Sequence, residues 1–396
     1  METLKFLMTT SFYPPHHIGG DAVFVQYLAE ELAKEGHEVH VFSSIDSYQL
    51  KTHRKIHKNP QDSSVTIHSV KSPFGILSPL SAYVFGSSSY FSERFSGLVH
   101  DIKPDVVHHH NVSLLGHPIL KRKGNYLSIH TTHDFWLVCP TYGLITYKGE
   151  SCNNKRCLFC TIAQRRFPQI WRQSKILKHE IKDLDLIITP SEFFKGILEK
   201  EIENRLVHIP NFSPIPPKKI EESDYKDFFL FAGSMDRAKG LNGLIELVKQ
   251  QDVQIKLFIA GNGKLKSKIE KTVKQRGLEN KIILVGWVNH NRMYSLMRNA
   301  NALIVPSMCF ENSPLIALEA LSVGTPVVSS NNGGLPEIVG KVDKALIFNE
   351  WAELREIITK FSRADFPTEP IKQVYYDNFS PQAHISRYIH ALHNLH

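Results

Sequence analysis

Two acids flank a proline in "ENSPLIALEALSVG", residues 311–324. Glu311 and Glu319 are eight positions apart, with Pro314 between them. The segment follows the apolar run "NALIVPS" and reads as a helix entered from a strand. Asn312 or Ser313 can cap that helix, Pro314 suits its first position and Gly324 can end it. Glu311 then lies beside the open N–H groups of the helix start, and Glu319 a turn or more inside. A helix N-terminus offers unpaired donors and partial positive charge, which suits a phosphate. An acid further along can bond ribose hydroxyls. A nucleotide-sugar has its parts in that order: nucleoside, diphosphate, sugar. By spacing alone, an acid offsetting the helix dipole and an ordinary surface glutamate fit equally well.

A second group is made of cysteines. Cys139, Cys152, Cys157 and Cys160 follow the spacing C-x12-C-x4-C-x2-C. In a protein read as cytoplasmic, so tight a set argues for metal more than for disulfides. Structural zinc on four thiolates is the first expectation. An iron–sulfur cluster, four reduced thiols, or a redox pair are the alternatives. Cys309 stands alone and reads as a small packed residue. Elsewhere, Gly19 and Gly20 in "PPHHIGGDA" let backbone approach a ligand, and Asp21 can cap the following helix. Gly261 and Gly263 in "AGNGK" open a dinucleotide fingerprint but lack its third glycine.

The elements that must position these residues are short apolar strands between helical patterns. "LKFLMTT", "EVHVFSS", "PDVVHHH", "NYLSIHTT" and "LDLIITPS" fall in the first half. "FFLFAGS", "VQIKLFIAG", "KIILVGWV", "NALIVPS", "TPVVSS" and "KALIFN" fall in the second. Strands rich in Val, Ile and Leu indicate parallel sheets covered on both faces, and two such blocks mean two doubly wound α/β domains. The boundary is expected in "HIPNFSPIPPKKIEES", residues 208–223. A first domain over 1–210 would carry the cysteine-rich insertion at about 139–160, and a second would run over 211–376. Residues 377–396 read as one more amphipathic helix, capped by Ser380 with Pro381 in its first turn. "DLD" at 183–185 opens a strand, where packing is a better reading than metal binding.

The chain has 396 residues, 42% hydrophobic and 22% charged, with a net charge of +8. It has no apolar run long enough to span a membrane and no cationic leader with a cleavage site, so a cytoplasmic protein is expected. From Lys148 to Lys182 there are nine Lys or Arg against two acids, Glu150 and Glu180, with Phe159, Phe167 and Trp171 among them. Such a stretch can sit on an anionic membrane face, touch nucleic acid, or be a solvated helix face.

"FENSPLIALEALSVGTPVVSSNNGGLPEIV" resembles the E-x7-E segment of retaining glycosyltransferases of family 4, which have the GT-B fold. "SFYPPHHIGGDAVFVQYLAEELAKEGHEVHVFSS", "THDFWLVCP", "LIITPSEFFKGIL", "HIPNF", "AGSMDRAKG", "FIAGNGKLKSKIE" and "ILVGWV" fall in that family's order. The resemblance covers nearly the whole chain. It implies two Rossmann-like domains facing a cleft, an acceptor-binding N-terminal domain, a nucleotide-sugar-binding C-terminal domain, and a last helix returning to the first domain.

By the same resemblance, Glu319 binds the nucleotide ribose and Glu311 lies against the donor sugar. The backbone of Asn312, Ser313, Pro314 and Leu315 holds the diphosphate. Lys239 neutralises the leaving diphosphate. Ser234 stands where the family has arginine, and Arg237 is the candidate to replace it. The Gly19–Gly20 loop closes on the donor phosphates and acceptor, and His133 lies by the donor sugar. The Gly261 loop lies near the nucleotide and Val288 flanks the base. The glycines after Asn332 lie by the sugar. The run His108–His110 is either strand-end packing or a site wall. The implied activity is retaining transfer of a sugar from a nucleotide-diphosphate sugar to a glycan or lipid-linked acceptor, in cell-surface polysaccharide biosynthesis. It needs no divalent metal. Apart from the resemblance, the basic aromatic run allows peripheral contact with an anionic inner membrane face, and nucleic acid is not expected. An epimerase of the same fold and a non-catalytic nucleotide-sugar-binding protein are the rivals.

Overall fold

A computed structural model describes residues 3–52, 64–148, 152, 156–222 and 225–395. The basic run's Glu150 and Lys155 lie outside them. The chain divides into two compact units, Met1–Ile209 with Arg387–His396, and Pro210–Ser386.

The first unit holds β1 (Lys5–Thr9), β2 (Glu38–Ser44), β3 (Val65–Val70), β4 (Val106–His109), β5 (Leu127–Thr131), β6 (Leu186–Thr189) and β7 (Leu206–His208). They form a sheet in the order β3-β2-β1-β4-β5-β6-β7, with every pairing parallel. The second unit holds β8 (Phe229–Ala232), β9 (Leu257–Ala260), β10 (Ile282–Gly286), β11 (Ala302–Val305), β12 (Val327–Ser330) and β13 (Ile347–Phe348). Its order is β10-β9-β8-β11-β12-β13, again all parallel. Central strands are apolar on both faces because helices cover both, so every residue of β8, β9 and β11 is buried. Each unit is thus a doubly wound α/β sheet, as expected from the alternation of runs.

Strand order reverses between β1 and β4 in the first unit and between β8 and β11 in the second. Beyond the carboxyl ends of such strands, loops diverge and leave a crevice for a ligand. The loop carrying Gly19 follows β1, the loop carrying Lys239 follows β8 and the loop carrying Glu311 follows β11.

The acids of "DLD" are structural. Asp185 accepts the Ser128 N–H at 2.8 Å and pairs with Arg122 at 2.6 Å, and Asp183 accepts the Arg122 N–H at 3.2 Å. No helix among the described residues is long and apolar enough to cross a membrane.

The last helix, Pro381–His393, starts with Ser380 Oγ accepting the Ala383 N–H at 3.3 Å. Its residues from Arg387 onward belong to the first unit. There Tyr388 is fully buried, stacks on His108 with centroids 5.4 Å apart, and places its hydroxyl 3.0 Å from His108 Nδ1. Removing that hydroxyl deprives a buried ring nitrogen of this bond. Tyr388→Phe should therefore lower stability by about 1–2 kcal/mol. The check is the urea midpoint at unchanged slope. An unmoved midpoint would mean the bond contributes nothing to holding the chain's end in place.

Candidate active site

In the second unit, three loops that follow parallel strands meet around one carboxylate. Lys239 ends the short turn Arg237–Lys239 after β8, and its Nζ lies 2.6 Å from Glu311 Oε1. Ser307 Oγ donates to the same oxygen at 2.6 Å, and Cys309 Sγ approaches it at 3.9 Å. From the loop after β12, Gly334 donates its N–H to the Glu311 carbonyl at 2.7 Å, and Gly333 bridges Glu311 in parallel register. Asn332 Nδ2 donates to the Ser307 carbonyl at 2.8 Å.

Burial alone would lower Lys239, but the charge and hydrogen bond of Glu311 outweigh it and the ammonium ends above its ordinary range. It is a cation at neutral pH. Burial raises the Cys309 thiol to about 11, and Glu311 adds to the rise, so this cysteine is a neutral thiol against the carboxylate.

The helix after Glu311 runs Leu315–Ser322, one position shorter at its start than the sequence suggested. Pro314 is its N-cap, with extended backbone at φ −70° and ψ 121°, and no side chain caps the helix. Neither Asn312 nor Ser313 acts as cap. The reason is geometric: proline fixes its own φ but contributes no side-chain acceptor. Ser313 is instead buried, its hydroxyl without a partner, while its carbonyl accepts from Asn211 Nδ2 at 3.0 Å. Gly324 ends the segment at φ +77°, as its place predicted.

Glu319 is no surface residue: it is 8% exposed. Desolvation is the single cause that raises its carboxyl from 4.5 to about 7. Ser234 and Arg237 are exposed, with Arg237 two residues before Lys239. Gly261 packs its Cα against the Gly233 carbonyl, one residue from Ser234. Val288 is half-buried against the core of the unit.

In the first unit, His133 Nε2 lies 2.9 Å from His110 Nδ1, with the rings stacked at 5.2 Å. The three residues of the His108–His110 run are buried. Burial lowers His109 to about 3 and His130 to about 4, and it holds His110 well below the ordinary range with neighbouring histidines adding to the effect. His109, His110 and His130 are therefore neutral buried rings, and His110 lies against His133.

Gly19 and Gly20 open the helix Gly19–Lys34, so Asp21 sits inside its first turn and does not cap it. Asp21 instead accepts from Asn111 Nδ2 at 2.9 Å, and burial raises its carboxyl. Burial also raises Asp134 to about 7, against the N–H of Trp136, and the charge of Asp21 adds to the rise.

The cysteines do not form the expected centre. Among the described residues, no three of His, Cys, Asp and Glu are grouped to hold a metal ion. Cys139, Cys152, Cys157 and Cys160 line one cavity of about 330 Å³. Zinc would draw its sulfurs to about 2.3 Å from one point. Here Cys139 Sγ lies 3.3 Å from the Thr141 hydroxyl, and Gln164 donates to Cys160 Sγ at 3.3 Å. Neither zinc nor an iron–sulfur cluster finds support in this arrangement.

Ser307 was not singled out from sequence, although it ends the run "NALIVPS", where a strand hands over to a ligand loop. Asn211 lies in the "HIPNF" motif, but its bond to Ser313 spans 102 positions and could not be read from spacing.

The family model described as glycosyl transferases group 1 matches residues 214–373, and the one described as glycosyltransferase family 4 matches residues 18–213. An uncharacterized glycosyltransferase of Methanocaldococcus jannaschii is 28% identical over 352 residues, 85% of this chain and 83% of that protein. The solved sucrose-phosphate synthase from Thermosynechococcus elongatus has a similar fold, with a TM-score of 0.74 at 18% identity over 100% of this chain and 99% of its own. An Anabaena protein solved in complex with UDP has a TM-score of 0.65 at 15% identity, covering 99% of this chain and 100% of its own. The fold is GT-B.

The burial of Glu319 has a measurable consequence. Its folded value lies above its unfolded one, so the fold favours the neutral acid. That contribution is complete below the ordinary value of 4.5 and is lost as pH rises through about 7. Glu319→Gln stays neutral throughout. Between pH 5 and pH 8 it should gain about 2 kcal/mol on the unsubstituted protein, read from urea midpoints at each pH. Equal differences at both pH values would mean that water reaches the carboxylate.

Proposed function

Because this chain belongs to the glycosyltransferase family that those two models describe, we propose that it is a retaining glycosyltransferase. It takes a nucleotide-diphosphate sugar as donor and transfers the sugar without a divalent metal to a glycan or lipid-linked acceptor in cell-surface polysaccharide assembly. The observation that carries this reading is the 2.6 Å contact between Lys239 and Glu311 at the entry of the Leu315–Ser322 helix.

Donor binding falls to the second unit. The backbone from Asn312 to Leu315 faces the diphosphate with the unpaired donors of a helix start. Glu319 accepts the ribose hydroxyls. Its raised carboxyl suits this role, because two donated hydrogen bonds favour the anion that burial alone disfavours. Val288 and the Gly261 loop border the nucleoside. Glu311 faces the sugar, held in position by Ser307 and the Gly333–Gly334 backbone.

As the bond from the anomeric carbon to the diphosphate breaks, negative charge grows on the leaving oxygen. Lys239 is cationic, held in place, and close enough to the helix start to meet that charge. With Ser234 in place of the family's arginine, Lys239 carries more of this task, and Arg237 stands nearest to share it. Acceptor binding falls to the first unit, at Gly19, Gly20 and His133. No protein nucleophile is assigned.

A panel of UDP-, GDP- and ADP-sugars tested by thermal shift should yield a stabiliser, since a ligand that binds the folded state raises its melting temperature by mass action. Glu319→Ala should abolish the shift. Lys239→Ala should retain most of it and lose about 10²–10³ in kcat. Conversion of the donor at full rate without any acceptor would favour an epimerase. Binding without turnover would favour a non-catalytic protein.

A further inference from the structure

The helix Cys157–Ala163 is built inside out. Thr161 is its buried residue, while Leu158, Phe159 and Ile162 face water. The chain after it continues the pattern, with Phe167 66% exposed and Ile170 64% exposed. A neighbouring element does the same: in the segment that leads into and forms the helix Leu77–Phe85, Phe74, Leu77 and Phe85 are exposed, Phe85 by 71%. The two segments touch. Trp171 Nε1 donates to the Tyr83 carbonyl at 3.3 Å, and the Trp171 ring packs on Gly86. Single exposed apolar residues are ordinary, but a contiguous set marks a surface made to be covered.

The charge of the same face names the cover. Between Arg156 and His179 there is no acid, and there are six cations: Arg156, Arg165, Arg166, Arg172, Lys175 and Lys178. All but Arg172 are exposed. Arg172 lies 4.9 Å from the Trp136 ring centroid and 4.8 Å from that of Trp171, which fixes the segment to the body of the unit. Residues 71–92 also lack acids and add Lys71. Glu180, the next acid, is turned inward onto His117.

We propose that this face of the first unit is a peripheral docking surface for an anionic lipid bilayer. Aliphatic and aromatic side chains enter the boundary between headgroups and acyl chains, and the ring of arginines and lysines meets lipid phosphates. A second copy of the chain fits poorly, since a twofold contact would press two cationic faces together. Nucleic acid would call for aromatic stacking platforms, whereas this surface includes Leu77, Leu158, Ile162 and Ile170. This proposal does not rest on the donor reading, because docking can be measured with no sugar nucleotide present.

The test is sedimentation of the full chain with phosphatidylcholine vesicles, plain or containing about one-third phosphatidylglycerol. Anionic vesicles should retain the protein about tenfold more than plain ones, and about 0.5 M salt should weaken retention. Phe159→Ser with Phe167→Ser and Ile170→Ser should lose about tenfold of the binding at an unchanged melting temperature. Arg165→Gln with Lys175→Gln and Lys178→Gln should lose the preference for anionic lipid. Glu319→Ala should bind vesicles like the unsubstituted chain, which separates this proposal from the donor site. Equal retention on both vesicle types would overturn the proposal. So would retention that neither triple variant changes, or an oligonucleotide or self-association taking up the surface while vesicles do not.

Discussion

The carbonyl of Pro306 lies where the Cβ of any residue other than glycine would fall at position 240, 1.8 Å away, and Gly240 has a φ of +72°. This close approach brings the loop after β8 onto the loop after β11. Met308 donates its N–H to the Ala238 carbonyl at 2.8 Å across the same junction. Lys239, one residue before the contact, is thereby carried to Glu311. A second approach closes the other side. At Gly333, with φ +69°, a Cβ would fall 2.1 Å from the Glu311 carbonyl. The loop that carries Glu311 is thus clasped at two points, Pro306 and Glu311 itself, by glycines that no larger residue could replace, and the ion pair inherits its geometry from those clasps.

The two acids of one short segment then have opposite surroundings. Glu311 is half-buried with an ammonium and a hydroxyl on one oxygen. Glu319 is buried with desolvation as the sole influence on its carboxyl. One carboxylate is engaged by a lysine and a serine, while burial disfavours charge on the other, so identical side chains acquire different surroundings from position alone. The same contrast runs through the first unit. Burial keeps His109 and His130 neutral, while it pushes Asp21 and Asp134 upward, with the charge of Asp21 adding to the rise at Asp134.

Much of this was legible in the sequence. The six strands of the second unit match the six apolar runs, because strands buried on both faces announce themselves by continuous hydrophobicity. β3 and β7 did not announce themselves. They lie at the edges of their sheet, and their side chains are largely half-buried, so "VTIHSV" and "LVH" read as ordinary polar chain. The placement of Glu311 at a helix entry followed from the proline. The burial of Glu319 did not, since a glutamate in "LIALEALS" carries the same letters on either face of a helix. The cysteine spacing misled because spacing along the chain constrains reach and not convergence, and these thiols line a cavity without meeting at a point. The inverted helix Cys157–Ala163 was half visible: the charge of the run around it was plain, but which of its residues face outward was decided by packing.

Stability elsewhere in the second unit is consistent across levels, with apolar strands, covered faces and closed turns. Some of the exceptions fall near the candidate site, while Ser213 Oγ and Ser295 Oγ lie elsewhere in the unit. Ser313 Oγ, Asn211 Oδ1 and Ser329 Oγ are buried polar atoms with no partner, and Ser313 immediately precedes the helix that contains Glu319. An unmet buried polar atom costs about 1–3 kcal/mol. Asn211 and Ser313 are joined by the bond from Asn211 Nδ2 to the Ser313 carbonyl, and functional sites are where such conflict is expected. On the proposed reading, the donor resolves part of it. Its hydroxyls meet a carboxyl that the empty fold prefers uncharged, and its phosphates meet a helix start that no side chain caps. Binding and folding are then coupled through the same few atoms. On that reading, the same features suit a ligand rich in hydroxyls at one end and negative charge at the other.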